Sequence, residues 1–503
     1  MKVSIVSNCS PQGGSRKDPL LIFWISPLMR VAFTLDPAAD VPLHRQIYEE
    51  WRHGILTGRF RRGERVPSTR ELASTLAVAR TTVSAAYDQL MAEGYLDSVR
   101  GSGTFVCREL PDELVRPRRT PAPRAQAETP IRLSRYGAGL PETRFCYEPR
   151  RAGWLRFSEW RPDLNEFPFT IWRKLMVRQL RGPDSRLFDY ADTATGYGPL
   201  CEEIAGYLAR SRAVSCTADQ VLIVNGSQQA LDLCARLLVD PGDEVAFENP
   251  GYQGARQVFA ACGARLAPAH LDQEGLAASA LSERARLVYC TPSHQFPTGV
   301  SMPVTRRLEL IEWARRRGAA IIEDDYDSEY RYSGPPMPSM QGLAGGAPVL
   351  YIGTFSKVMF PGLRIGYVIV PPKLAPAFAR GKWLTDRQTP LLEQAALADF
   401  LREGHLERHI RRMRRLYGRR RAVLVEALAK HFGDRATVLG DDAGMHVLVR
   451  FHNTSVVERA HANKVILTAS APYYLGTAPK DEFVFGFSSL TERAIREGIR
   501  RLV

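Results

Sequence analysis

Lys357 lies in the run Gly353-Thr354-Phe355-Ser356-Lys357, and Pro361-Gly362-Leu363-Arg364 follows within a few residues. An amine, two hydroxyls and a guanidinium so close together offer a nucleophile for an aldehyde and a cradle for a phosphate. Upstream, Gly226-Ser227-Gln228 opens a helical stretch, where backbone amides and the Ser227 hydroxyl can hold an anion. Tyr252, in Glu248-Asn249-Pro250-Gly251-Tyr252, offers an aromatic face, and Asp324-Asp325-Tyr326 offers two carboxylates and a phenol. Each feature alone is weak. A Gly-Ser helix start is usually only a cap, a lysine after a strand is usually a surface residue, and paired aspartates are often a loop. All of them in this order match the needs of pyridoxal 5'-phosphate. A lysine forms a Schiff base with its aldehyde, a carboxylate keeps its ring nitrogen protonated, a phenol meets its ring oxygen, an aromatic ring stacks on it, and hydroxyls with an arginine take its phosphate.

These residues need a scaffold, and the surrounding sequence supplies one. Val221–Val224, Glu244–Phe247, Ala285–Tyr289, Ala319–Glu323 and Val349–Ile352 are short apolar runs of strand length, with helical stretches between most of them. This predicts an α/β fold with a mainly parallel sheet. Binding groups in such sheets lie beyond the strand C-termini, where each residue named above falls.

A different organisation precedes it. Leu43, Ile47, Trp51, Ile55 and Leu56 recur at helical spacing, and Gly58 and Gly63 end that helix. Ser68 with Glu71 three residues later is a capping box that opens a second helix through Leu76. A third runs from about Thr81 to Glu93, with Val83, Tyr87 and Leu90 inward and Gly94 as the stop. Residues 95–99 and 104–106 then read as strands joined by Arg100-Gly101-Ser102-Gly103. Three helices and a hairpin make a winged helix-turn-helix, whose third helix enters the DNA major groove by its N-terminus. Arg80, Thr81, Thr82 and Ser84 then face DNA, and Arg70 is placed for backbone or base contact. Gly101 and Ser102 belong to a wing whose glycines permit close approach to a phosphate or minor groove. A winged helix used only for protein contacts is the plainer alternative, but arginines at 70, 80 and 100 on one face fit double-stranded DNA better.

Bulk properties agree with two domains. A chain of 503 residues exceeds one ordinary domain. The net charge of +14 favours a polyanionic partner, although a generally arginine-rich composition gives the same number. The 8 cysteines are scattered with no Cys-x-x-Cys pair, which argues against a zinc site or a disulfide framework and suits a reducing cytoplasm. No apolar run approaches the roughly 20 residues of a membrane helix. Leu20–Ile25 is apolar but short, and no signal-peptide cleavage site follows. Residues 1–36 are therefore expected to be a disordered or extraneous extension, with Met29 as a plausible start. Residues 37–107 form the DNA-reading domain, residues 108–150 a Pro/Arg-rich linker that proline keeps extended, and residues 151–503 the α/β domain.

Val66-Pro67-Ser68-Thr69-Arg70-Glu71-Leu72-Ala73, Arg80-Thr81-Thr82-Val83 and Gly101-Ser102-Gly103-Thr104-Phe105-Val106 closely resemble the GntR family over residues 43–106. That resemblance implies Arg70, Arg80, Thr82 and Gly101 as DNA contacts. Residues from about 155 to 503 resemble fold-type I aminotransferases, and the whole chain resembles the MocR-type regulators. The resemblance implies roles for the cofactor residues. Lys357 forms the Schiff base, and Asp324, with Asp325 as the second choice, pairs with the ring nitrogen. Tyr326 meets the ring oxygen and Tyr252 stacks. Ser227, Gln228, Ser356 and Arg364, and Thr354 as an option, hold the phosphate. It also implies a homodimer and a small-molecule effector. Two departures stand out. Phe296 occupies the place where many aminotransferases carry an asparagine before Pro-Thr-Gly, so a ring-oxygen contact is lost. Residues 482–487 lack the arginine that usually grips a substrate carboxylate, with Arg450 nearby in sequence. A regulator sensing a small amine, an active aminotransferase, and a regulator sensing pyridoxal phosphate itself all remain open.

Overall fold

The computed structural model describes residues 20–25, 30–111, 131–140, 152–157 and 161–503, apart from 183, 193, 335, 441 and 453–455. The chain divides into two compact units, Met1–Ile131 and Arg132–Val503.

In the first unit, β1 (Leu20–Ile25) and β2 (Arg30–Leu35) pair antiparallel. Part of the segment expected to lack structure is thus a hairpin. The aromatic and β-branched residues of the apolar run suit a strand better than a leader core. Residues 1–19 and the suggested start at Met29 lie outside the described residues. Helices α1 (Leu43–Leu56), α2 (Thr69–Leu76) and α3 (Arg80–Ala92) follow, with β3 (Arg65–Val66), β4 (Leu96–Val99) and β5 (Gly103–Val106) in a three-stranded antiparallel sheet. The capping box forms: Glu71 N donates to Ser68 Oγ at 3.2 Å and Ser68 N donates to Glu71 Oε2 at 2.8 Å. α2 ends at Ala77 in the left-handed region (φ 52°), and Val78 N returns to Ala73 O, so the chain re-enters helix by Arg80. Trp51, Val83, Ala86 and Leu90 are fully buried where the helices meet, and Tyr87 donates its hydroxyl to Pro67 O at 2.9 Å.

Most of the expected linker lies outside the described residues. Its described stretches are 108–111, where Leu110 packs into the core of the first unit, and 131–140, which contains one short helix, Arg135–Ala138, capped by Ser134.

The second unit is built on an eight-stranded sheet. β6 (Leu155–Arg156) pairs elsewhere, with β17 (Val465–Ile466). The main strands are β7 (Val221–Val224), β8 (Glu244–Asn249), β9 (Arg265–Asp272), β10 (Gly275–Leu276), β11 (Ala285–Cys290), β12 (Ala320–Asp325), β13 (Val349–Thr354) and β14 (Gly366–Ile369). Their order is β10-β9-β8-β11-β12-β13-β14-β7. The pairs from β9 to β13 are parallel, while β14 is antiparallel to both β13 and β7. β7 therefore runs in the same direction as β13, and the C-termini of β7, β8, β11, β12 and β13 open on one edge. A smaller antiparallel sheet contains β15 (Ala436–Leu439), β16 (His446–Phe451), β18 (Thr468–Ala469) and β19 (Glu482–Gly486), in the order β15-β16-β19-β18. Buried strands of the main sheet read as continuous apolar runs, as strands covered on both faces must: all four residues of β7 and of β14 are buried.

Candidate cofactor pocket and DNA-reading surface

At the strand C-termini of the second unit lies a cavity of about 330 Å³. Its lining includes every cofactor residue expected from the sequence: Ser227, Gln228, Tyr252, Asp324, Tyr326, Thr354, Ser356, Lys357 and Arg364. Arg161, Tyr289, Thr291, Phe296 and Pro361 complete it.

The two aspartates separate by strand alternation. Asp325 turns away from the cavity: its carboxylate takes Arg212 Nε at 2.8 Å and the Tyr351 hydroxyl at 2.6 Å, and the Arg212 guanidinium holds its carboxyl below the usual range. Asp324 faces the cavity and accepts from the Tyr289 hydroxyl at 2.8 Å. Burial pushes the Asp324 carboxyl up to about 7. A cation brought against it favours its charged form, so it suits a protonated ring nitrogen. Burial also pushes the Lys357 amine down to about 8, against the pull of Asp327 and Asp324. A lysine whose amine loses its proton near neutrality is poised as a nucleophile.

The end of the cavity suited to an anion is formed by backbone as much as by side chains. The helix Ser227–Leu238 starts at Gly226, which has φ 84° and gives no side-chain cap, so its first amides remain available to an anion. Arg364 leans over this turn and donates from Nη2 to Asn225 O at 2.7 Å. A Cβ at Gly226 would stand 2.8 Å from that same nitrogen and displace the guanidinium, and the φ of 84° itself favours glycine here. Thr354 accepts from Ser356 N at 3.2 Å, which fixes the turn leading to Lys357. Tyr252 lines the wall near Gln228, with the two side-chain oxygens 3.5 Å apart, and its ring meets Phe296 edge-on at 6.0 Å. The Tyr326 hydroxyl lies 3.0 Å from His294 Nδ1. These residues fit pyridoxal phosphate: amine, buried carboxylate, phenol, aromatic wall and anion cradle share one cavity.

Arg450 is not part of it. Arg450 sits opposite Glu482 in the β16–β19 pairing and donates to its Oε2 at 2.8 and 3.1 Å. Sequence reasoning missed Arg161, Tyr289 and Thr291. Tyr289 and Thr291 bracket the end of β11, a placement that strand-end logic could have flagged. Arg161 carries no local signal, since only the fold brings it to the cavity.

In the first unit, Arg70, Arg80, Thr81, Gly101 and Ser102 are exposed, and Thr82 and Ser84 are half-buried. Arg80, Thr81, Thr82 and Ser84 occupy the first turns of α3, and Arg70 opens α2, whose Thr69 Oγ1 is 3.3 Å from Arg80 Nε. Gly101 and Gly103 have φ of 82° and 117°, which gives the β4–β5 wing its tight turn.

Comparison with known proteins agrees with this division. Residues 43–106 match the bacterial regulatory proteins of the gntR family, and residues 163–502 match the aminotransferases of class I and II. The chain is 40% identical over 473 residues to "Probable rhizopine catabolism regulatory protein MocR" of Rhizobium meliloti, covering 93% of this chain and 94% of that protein. The chain belongs to the MocR-type regulators. It is a transcriptional regulator with a GntR winged helix and a fold-type I aminotransferase domain. Another relative is the HTH-type pyridoxine biosynthesis transcriptional regulator PdxR of Corynebacterium glutamicum, 30% identical over 93% of this chain and 97% of its own. The kynurenine aminotransferase of Pyrococcus horikoshii superimposes with a TM-score of 0.65 at 30% identity, over 70% of this chain and 90% of that one.

Proposed function

We propose that this regulator binds pyridoxal 5'-phosphate in the cavity at Lys357 and uses it to sense a small primary amine, whose arrival changes the affinity of residues 37–107 for operator DNA. The observation that carries this proposal is the convergence of Lys357, Asp324, Tyr326, Tyr252 and the Ser227–Arg364 cradle on one cavity in a chain with a DNA-reading domain. When bound, the cofactor supplies an electrophilic aldehyde for amines and a protonated ring as electron sink. Lys357 holds it covalently, Asp324 holds the ring nitrogen, and Tyr326 orients the ring oxygen. Ser227, Gln228, Thr354, Ser356 and Arg364 hold the phosphate. Arg161 offers a second guanidinium, besides Arg364, in the same cavity, and burial eases it below the ordinary value. It suits an effector with an anionic group, a carboxylate or a sulfonate, in place of the usual arginine missing from β19. On DNA, Arg70, Arg80, Thr81, Thr82 and Ser84 enter or flank the major groove while Gly101 and Ser102 place the wing. A cytoplasmic homodimer reading two half-sites completes the proposal.

A visible spectrum of the purified protein with pyridoxal phosphate, followed by titration with amines, tests it. A new band that borohydride traps on Lys357, and that amines alter, is expected. No band at saturating cofactor overturns it. A second possibility, that pyridoxal phosphate is itself the signal, gains support from likeness to a regulator of pyridoxine biosynthesis. Operator affinity that responds to the cofactor but to no amine would favour it.

A further inference from the structure

Phe296 cannot donate to a ring oxygen, so that contact falls to the Tyr326 hydroxyl, and a buried histidine lies against this phenol. His294 is 1% exposed, and its Nδ1 lies 3.1 and 3.2 Å from the two oxygens of Asp327 and 3.0 Å from the Tyr326 hydroxyl. Asp327 is equally buried and is fixed by a hydrogen bond from Met445 N at 3.2 Å. The His294 ring is held from behind by Gly444, at φ 76°, where any Cβ would overlap it.

The chemistry of these contacts assigns the protons. An ionised carboxylate only accepts, so the Asp327 contact places a hydrogen on His294 Nδ1. A protonated Nδ1 has no lone pair to offer, so Tyr326 cannot donate to it. The phenol oxygen must accept part of the same N–H, and its own hydrogen must then point elsewhere. Tyr326 lines the cavity, where a ring oxygen would accept that hydrogen. Ligand atoms of His294, Asp327 and His446 lie within 4.8 Å of one another, a spacing that a metal ion also tolerates. Nδ1 and the Asp327 oxygens are, however, already engaged with Tyr326, with each other and with Met445 N.

We propose that the buried His294–Asp327 pair is a positioning device that turns the Tyr326 hydroxyl toward the cofactor's ring oxygen, a contact that has no second donor from Phe296 to support it. This rests on pyridoxal phosphate occupying the cavity. His294 and Asp327 do not touch the cofactor themselves; they act through Tyr326.

The test reads the pH midpoint of the visible band of the full-length protein loaded with pyridoxal phosphate. A hydrogen bond donated to the ring oxygen stabilises it as an anion, so losing that bond raises the midpoint. The charged and titratable groups around Tyr326 and Lys357 are Asp324 and Asp325 from β12, Asp327 and His294 from the flanking loops, Glu248 from β8, His446 from β16, and Arg161. Variants must therefore be compared within one background. His294→Leu should raise the midpoint by roughly one pH unit, the size of one hydrogen bond to a charged group. His294→Asn, whose amide hydrogen takes the place of Nδ1–H, should restore it. Tyr326→Phe should give the same rise, and His294→Leu added to it should give no more.

An unchanged midpoint in His294→Leu, or an equal further rise in the Tyr326→Phe background, overturns the proposal. Should His294→Leu be insoluble, a cycle between Asp327→Asn and Tyr326→Phe decides. The direct charge effect of Asp327 on Lys357 is common to both backgrounds and cancels, so the proposal requires a non-zero coupling and a zero coupling overturns it. Failure of the wild type to form a borohydride-trapped adduct on Lys357 would instead refute cofactor binding, a distinct result.

Discussion

Replacing Asp324 with asparagine should loosen pyridoxal phosphate while leaving the fold nearly intact. The carboxylate is 5% exposed and holds two partners in this account, the Tyr289 hydroxyl at 2.8 Å and the ring nitrogen of the bound cofactor. Asparagine keeps an oxygen that accepts from Tyr289, so that hydroxyl is not orphaned, and its amide NH2 faces the cavity, so the melting temperature should move little. Asparagine carries no charge, so the charge-assisted bond to a protonated ring is lost. Such bonds contribute about 1.5–3 kcal/mol, which converts to roughly a 10- to 150-fold weaker retention of the cofactor. Asp324→Ala should add a stability loss of about 1–3 kcal/mol, because the Tyr289 hydroxyl then has no acceptor. Asp325→Ala is the control. It strips Arg212 and Tyr351 of a buried partner, so its cost of roughly 3–5 kcal/mol should appear in unfolding. Equilibrium dialysis against pyridoxal phosphate and thermal melts of the three variants measure both quantities. If Asp324→Asn retains the cofactor as tightly as wild type, the ring nitrogen does not face Asp324 and the assigned orientation is wrong.

Other outcomes follow from the same geometry. Lys357→Ala should abolish the borohydride-reducible adduct, and an adduct found by peptide mapping on another lysine would displace Lys357 from its role. Because burial lowers the Lys357 amine to about 8, its reactive unprotonated fraction grows as pH rises through that value. The rate of adduct formation should therefore climb between about pH 7 and 9 and then level, and a rate flat across that window would contradict the lowered value. Arg80→Ala should cost roughly 1–3 kcal/mol of operator affinity if it reads a base edge, with relaxed specificity at one position; if it meets only phosphate, affinity should fall uniformly and the salt slope should shrink. Ser68→Ala removes the α2 cap and should cost about 1 kcal/mol in the unfolding of the first unit, measured by denaturant titration.

Much of this architecture was legible because its determinants are local. Ser68 and Glu71 mark the start of α2, and Gly94, Gly101 and Gly103 mark the end of α3 and the wing within single turns of chain. The gathering of these residues at one cavity was legible because a parallel sheet collects its strand ends, so Ser227, Tyr252, Asp324 and Lys357 declare a common edge once the strands are read. The resemblance ranked Asp324 ahead of Asp325, but the physical reason, that Asp325 is taken by Arg212 and Tyr351, comes from a distant helix and a neighbouring strand. Arg161 and the His294–Asp327 pair were hidden for the same reason: their neighbours are set by tertiary folding. The hairpin at Leu20–Leu35 was misjudged because a short apolar run carries no periodicity to separate a strand from a leader.

The central claim is that the cavity at Lys357 controls the affinity for DNA. An effector shifts that affinity only through its different affinities for two arrangements of the protein. The decisive measurement is an operator titration of wild type and Lys357→Ala, each with and without saturating pyridoxal phosphate and a panel of small amines. The account predicts that ligand shifts wild-type affinity by roughly 1–3 kcal/mol, a typical coupling size, while Lys357→Ala keeps basal binding through Arg70 and Arg80 and loses the shift. Superimposable curves in all conditions would contradict it.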